Sequence, residues 1–382
     1  MSAVTDQSVW DVVVVGAGPA GTSAARVAAE RGASVLLVDR ARFPRYKTCG
    51  GGLIGISLDH LPASVLATVE QRVSTVRFTL RGGSPTFHSE GGAFLSMVQR
   101  EEFDNALAEA AVAAGATFVD GVRVKSVREE DVAVLDTTAG EIRARTVIGA
   151  DGTNGQCGRY VEVATGGVDL GLELEIATPT GLKQWNDEVF LDWGEGAGSY
   201  AWMFPKDGVL TVGVIEAKGS PDSTRRYLDR WVGQLGLDGA EVLRSSGHLT
   251  QWRTDASPLR RGRVIVAGDA ASLLDPWTRE GISFALRSGT WAGEAAAGEA
   301  AAGGEQSLDA YVTRVLAELA PEVRAGERML RVFERHPRLV HLVIARSAVG
   351  SRLFVAVCRG EKTLARIIRN RFARVALRLI RA

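Results

Sequence analysis

Residues 9–39 constrain the fold of this chain more than any other stretch. The β-branched run Val12-Val13-Val14-Val15 leads into Gly16-Ala17-Gly18-Pro19-Ala20-Gly21, an alanine-rich stretch to Arg31, and a second apolar run ending at Asp39. A strand that is apolar on both faces belongs inside a parallel sheet. The pattern therefore predicts a βαβ unit opening a doubly wound α/β fold. The glycine spacing has a mechanical reason. Gly16 makes the tight turn, Gly18 lets backbone approach a pyrophosphate, and Gly21 lets the helix pack closely on the sheet, with Ala20 in the same first turn. Asp39, with Arg40 next to it, is placed at the end of the second strand to accept hydrogen bonds from an adenosine ribose. Its charge would repel a 2′-phosphate, which leaves NAD or FAD as the dinucleotide.

Composition narrows the classes further. The chain has 382 residues, with 45 Lys+Arg against 45 Asp+Glu. That balance gives no reason to expect a nucleic-acid partner, whose phosphates select clustered cations. Cys49, Cys157 and Cys358 lie far apart and form no C-x-x-C pair, and the five histidines show no zinc-ligand spacing, so neither a disulfide framework nor a metal site is expected. The first ten residues lack the basic and apolar regions of a signal peptide, so cytoplasmic residence is expected, with attachment to the inner face of the membrane left open.

Along the chain, residues 101–114 read as a helix and 116–150 as short strands ending before Asp151-Gly152. From about 156 to 260 alternating strands predict an antiparallel sheet facing the substrate. A buried strand at Val264-Ile265-Val266 follows, and almost everything after Gly281 reads as helix. The expected organisation is a discontinuous nucleotide-binding domain (1–155 and 261–300), an antiparallel substrate domain (156–260) and a helical C-terminal region (301–382).

Downstream motifs choose between the dinucleotides. Arg100 in Val98-Gln99-Arg100-Glu101-Glu102-Phe103-Asp104, Asp151-Gly152 after a strand, and Gly268-Asp269-Ala270-Ala271 before Asp275-Pro276 resemble the flavoproteins that include the aromatic hydroxylases. Within that group the chain resembles the geranylgeranyl reductase family. Three segments carry the likeness: Phe43-Pro44-Arg45-Tyr46-Lys47-Thr48-Cys49-Gly50-Gly51-Gly52, Tyr200-Ala201-Trp202-Met203-Phe204-Pro205, and Gly268-Asp269 through Glu280-Gly281-Ile282. The resemblance implies FAD contacts from Cys49, Gly50, Gly52, Arg100, Val124, Asp151, Asp269, Pro276, Gly281 and Ile282. It also implies reduction of isolated double bonds in isoprenoid chains. Two positions depart from the family pattern. Arg279 stands where the family has Gly before Glu-Gly-Ile, and Ala197 stands where it has Pro ahead of the tyrosine.

Saturating an unactivated alkene needs a hydride on one carbon and a proton on the other, in a site closed to water. Cys49 on its glycine-rich loop is the candidate to supply or position that proton; a thiol that merely packs is the plainer alternative. Tyr200, Trp202 and Phe204 fall on one strand face and are candidates to line an apolar tunnel, with Trp185, Trp193, Trp252 and Trp277 as further candidates. Arg279 suits either an anionic substrate group or a solvent-facing position. No second glycine-rich unit is visible for a nicotinamide, so the reductant, NAD(P)H or ferredoxin, is expected to dock transiently. From Arg359 onward eight Lys or Arg residues accompany one acid, with Leu364, Ile367, Ile368, Val375 and Leu379 near helical spacing. That pattern suits a helix on an anionic membrane surface or one packed on the flavin domain. The rival activity on the same scaffold is a monooxygenase or halogenase, to which the aromatic strand motif is loosely similar.

Overall fold

A computed structural model describes residues 9–89, 91–179, 185, 187–302 and 306–370. The valine run becomes the strand Trp10–Val15, which pairs in parallel with Val35–Val38 on one side and Gly140–Gly149 on the other. Val12, Val13 and Val14 are completely buried, as a central position in a parallel sheet requires. The sheet runs Arg260–Arg261, Val264–Val266, Gly140–Gly149, Trp10–Val15, Val35–Val38, Thr117–Val119, and a ribbon of Val124–Glu129 and Ala133–Thr137 pairs off Gly140–Gly149. Val264–Val266 rejoins this sheet long after the opening unit, so the dinucleotide-type sheet is discontinuous in sequence.

Helix Pro19–Glu30 starts immediately after the glycine turn and crosses helix Ile282–Ala302. The crossing is close because Gly289 and Gly293 of the second helix lie against the backbones of Ala20 and Ala24. Ala20 thus sits between the turn and the later helix, where it also faces Gly268.

A second, seven-stranded sheet is built from Val242–Arg253, Thr165–Ala177, Val209–Ala217, Tyr200–Lys206, Glu188–Trp193, Thr75–Leu80 and Thr86–Ser89, in that order. It is antiparallel apart from the parallel pairing of Glu188–Trp193 with Thr75–Leu80. Two of its strands therefore come from within 1–155, the range assigned above to the nucleotide unit. A third small sheet, Gly52–Ile54, Leu95–Val98 and Val69–Val73, also lies in that range. The alternation along Tyr200–Lys206 divides the second sheet's two faces. Ala201 and Met203 pack with Trp231 and Leu228 of helix Pro221–Gln234, and the Trp231 indole N–H donates to the Trp202 carbonyl (2.9 Å). Tyr200, Trp202 and Phe204 look the other way.

That other face is roofed by the C-terminal helices Ala320–Arg335, Pro337–Ala345, Ala348–Cys358 and Leu364–Arg369. The last of these corrects part of the C-terminal expectation. Leu364 and Ile368 are buried with Ala325, and Ile367 lines the space beneath, so none of the three offers an apolar face to a bilayer. Val375 and Leu379 lie outside the described residues.

The helix crossing is directly testable. Gly293→Val places a branched side chain against the Ala24 backbone, and this overpacking should cost about 1–3 kcal/mol in urea denaturation of the FAD-loaded protein. An unchanged midpoint would mean that the helices do not meet at this glycine.

Candidate active site

At the tip of the first strand Gly16 takes φ +101°, a conformation closed to other residues without strain, and Ala150 backbone fills the place where a side chain would start. Asp39 binds this turn: one carboxylate oxygen accepts from the Ala17 N–H (2.7 Å) and the other from Ala41 (2.8 Å). Arg40 is exposed beyond the strand, and Val124 is buried at the start of its own. Asp151 accepts the Cys157 N–H (3.0 Å), and its other oxygen is buried without a partner. Burial raises its pKa.

The loop over this turn is fixed by two buried carboxylates. Asp104, fully buried on helix Arg100–Ala113, receives both arms of the Arg100 fork (2.8 and 2.9 Å) and one nitrogen of Arg45 (2.8 Å). Burial alone would depress Arg100, but Asp104 and then Cys49 outweigh it and hold the guanidinium charged. Arg45 stands over Gly18, and its Nη1 is buried without a hydrogen-bond partner. Farther along the loop Glu173 accepts the Cys49 N–H (2.8 Å) and the Tyr46 hydroxyl (2.9 Å). Burial raises the Glu173 pKa. Gly51, at φ +75°, is wedged against the Val98 carbonyl, and its N–H points at the Cys49 sulfur (3.4 Å).

Near Cys49 lie two half-buried bases, Lys47 and His248. Burial lowers the Lys47 pKa, and the Arg100 charge adds to that while Asp269 opposes it. His248 is held down to about 4, first by burial and then by Lys47, and its Nε2 has no partner. Asp269 reaches toward Gly281, where a Cβ would meet only ordinary contacts at 3.5–3.6 Å. The protein itself therefore leaves room in front of Gly281. Pro276 is buried against Gly326, and Ile282 opens its helix. These features fit a flavin dinucleotide. The orphaned Arg45 and His248 nitrogens and the open glycines form a polar cradle with nothing in the protein to fill it.

From this cradle a cavity of about 600 Å³ runs past Cys49, Gly50 and Gly52 along the aromatic strand to the C-terminal helices. Tyr200, Trp202 and Phe204 form one wall, with ring centroids 5.9 and 6.5 Å apart. Trp193 and Trp277 join them; Trp185 and Trp252 are buried elsewhere. Gly213 directly opposes Trp202 across the strand pair and leaves room for its indole.

Arg279 matches neither a solvent-facing side chain nor a free anion binder. Its side chain is 4% exposed, pairs with Asp169 (2.8 Å), donates to the Trp277 carbonyl (2.7 Å) and lies on the Tyr200 ring. Its φ is +57°, so the family's preference for glycine here has a backbone cause. Next to it Glu280 accepts both the N–H and the hydroxyl of Ser283 (2.7 and 2.6 Å). Burial lifts its pKa from 4.5 to about 7. Cys358, across the cavity, is pushed up to about 12 by burial and by Glu280.

Sequence reasoning placed Cys49, the aromatic strand and the glycine turn, and the structure brings the first two together around one cavity. It gave no role to Arg45, Lys47, Asp104, Glu173, His248 or Glu280. Arg45, Lys47, Asp104 and Glu280 stand inside recognised motifs, which was the available signal; Glu173 and His248 stand in none.

The FAD binding domain family matches residues 9–320. The chain is 30% identical to geranylgeranyl diphosphate reductase of Rhodobacter capsulatus over 75% of each protein. It is 31% identical to digeranylgeranylglycerophospholipid reductase of Methanothrix thermoacetophila, over 80% of this chain and 82% of that one. A geranylgeranyl bacteriochlorophyll reductase-like protein of Thermoplasma acidophilum has the same fold: TM-score 0.79, 22% identity, 94% of this chain and 98% of that one. A flavin-dependent brominase shares it as well, with TM-score 0.75, 19% identity, and coverage of 97% and 100%.

The ion pair and the raised carboxyl each give a measurable consequence. Asp169→Asn strands a buried guanidinium and should cost about 3–5 kcal/mol. Asp169→Asn with Arg279→Gly should cost less, because no charge is stranded and glycine accepts the positive φ; a double variant as unstable as the single would refute this. Native Glu280 keeps a proton that the unfolded chain releases above 4.5. Its stabilising contribution is therefore full below 4.5 and is lost as pH rises through about 7, by up to about 3 kcal/mol. Denaturation of Glu280→Gln should show a flatter decline across that window than the parent.

Proposed function

From the premise that the chain belongs to the FAD binding domain family, and within it to the geranylgeranyl reductases, FAD-dependent oxidoreductases acting on carbon–carbon double bonds, we propose that it saturates double bonds in a prenyl chain carried by a lipid, quinone, diphosphate or natural product. The observation that carries this reading is the cavity. It is walled mainly by aromatic and aliphatic side chains and is lined at Cys49 beside the polar cradle. A prenyl chain is a slender apolar ligand of that character.

In this reading the turn at Gly16, Gly18 and Gly21, with Ala20 behind it, receives the pyrophosphate, and Arg45 neutralises it from above. Asp39, with Arg40 at the rim, takes the adenosine ribose. Arg100, Val124, Asp151, Asp269, Pro276, Gly281 and Ile282 line the rest of the FAD site with Gly50 and Gly52. Bound reduced FAD supplies the hydride equivalent. Tyr200, Trp202 and Phe204 hold the alkene in register beside the loop, and the cavity's walls exclude water. Cys49 stands on the loop that lines the cavity, as the candidate to supply or position the proton; Glu173 fixes its backbone. Arg279 acts on the substrate indirectly, by holding Tyr200 through the ring contact and the 278–280 turn, in which the Tyr200 hydroxyl donates to the Thr278 carbonyl (2.7 Å). NAD(P)H or ferredoxin reduces the flavin by transient docking.

The decisive experiment is anaerobic. Dithionite-reduced protein mixed with geranylgeranyl diphosphate or a prenylated lipid should reoxidise, with product heavier by about 2 Da per double bond. Flavin that stays reduced with a panel of prenyl substrates and turns over only with oxygen would instead support a monooxygenase or halogenase. Cys49→Ala should retain the flavin spectrum and lose about 100-fold or more in turnover; full turnover would remove Cys49 from the chemistry.

A further inference from the structure

Helices Pro337–Ala345 and Ala348–Cys358 meet at a bend of 85°, and no single helix among the described residues is long and apolar enough to cross a membrane. Their inner faces are occupied. Val340, Ala345 and Val355 pack with Phe333 and Trp193, while Ile344, Leu353 and Phe354 line the cavity. Their outer corner is apolar and open: Leu342 is 55% exposed, Val343 49% and Val349 68%. Three of the eight exposed large hydrophobic residues found among the described residues thus fall within eight positions. Isolated exposed apolar side chains need no explanation, but a cluster does.

The charge around this corner is one-sided. Residues 335–360 contain five arginines and no aspartate or glutamate. Arg338, Arg346 and Arg352 are exposed beside the apolar tip. Val343 is half exposed and also lines the cavity, so a single side chain separates the cavity from the outside at this point.

We propose that this corner docks on the surface of a bilayer rich in anionic lipids. Leu342, Val343 and Val349 enter the boundary between headgroups and acyl chains, and the arginines meet the phosphates. Charge selects that partner: an apolar tip whose own two helices carry arginines and no acid matches an anionic interface better than a second copy of this chain, which would bring like charge against like. Docking here also places the thin wall of the cavity against the acyl chains, so an apolar ligand enters without crossing water. The proposal concerns the surface and holds for any apolar ligand of the cavity.

Flotation of the full-length FAD-loaded protein with phosphatidylcholine vesicles, with and without phosphatidylglycerol, tests it. Binding is expected with phosphatidylglycerol and is expected to weaken with salt. Leu342→Asp with Val349→Asp should weaken it by about tenfold or more, with flavin spectrum and thermal midpoint unchanged. If that variant fails to fold, Arg338→Gln with Arg346→Gln decides, by weakening flotation and flattening its salt dependence. The proposal is overturned if the parent does not float, if these variants float as the parent does, or if the parent is an oligomer that the aspartate variant dissociates, which would give the corner to a second copy.

Discussion

One buried carboxylate holds the site together. Asp104 is fully enclosed and binds two guanidinium groups, Arg100 from its own helix and Arg45 from the loop. A buried carboxylate with one cation removed would be left with uncompensated charge, a cost of several kcal/mol. The loop from Arg45 to Gly52, rich in glycine and costly to order, is therefore pinned at its start by Asp104 and midway by Glu173 from the second sheet. Cys49 is positioned because a helix, through Asp104, and a strand of the second sheet, through Glu173, agree on where its loop must lie. Glu173 holds the cysteine by its backbone, while the sulfur accepts from the Gly51 N–H (3.4 Å).

The same logic explains why Arg279 tolerates a left-handed backbone. A non-glycine residue in that conformation costs about 1–3 kcal/mol. The opposing contribution comes from an ion pair with both side chains nearly sealed from water, plus contacts to the Trp277 carbonyl and the Tyr200 ring. Where glycine would leave the turn free to move, the arginine ties it to strand Thr165–Ala177. The turn carries Glu280 and Gly281 toward the cradle, so rigidity gained at 279 is rigidity of the site.

How legible this was from sequence depended on distance along the chain. The glycine turn, its strands and Asp39 lie within about thirty residues, and their spacing alone predicts their geometry. The aromatic strand was legible because period 2 assigns its faces, and the structure keeps Tyr200, Trp202 and Phe204 together. The strands Thr75–Leu80 and Thr86–Ser89 were not, because their place in the second sheet is set by a parallel pairing with Glu188–Trp193 over a hundred residues away. The ion pair of Arg279 was not legible for the same reason: its partner, Asp169, is 110 residues distant. His248 and Glu173 carry no local signal. They matter because antiparallel pairing of Thr165–Ala177 with Val242–Arg253 puts them on the cavity face.

The distribution of charge then fixes a direction through the molecule. Arg45, Lys47 and Arg100 gather at one end, beside the glycine turn, where burial lowers the pKa of Lys47 and of His248 and so favours their neutral forms. Toward the C-terminal helices the walls are aliphatic and aromatic, and the raised pKa values of Glu280 and Cys358 show that the few ionisable groups there are poorly hydrated. A charged dinucleotide and an apolar chain cannot exchange ends in such a gradient. The two environments touch at the glycine-rich loop that carries Cys49. The order imposed by Asp104 and Glu173 on that loop is what turns a polarity gradient into a defined meeting point.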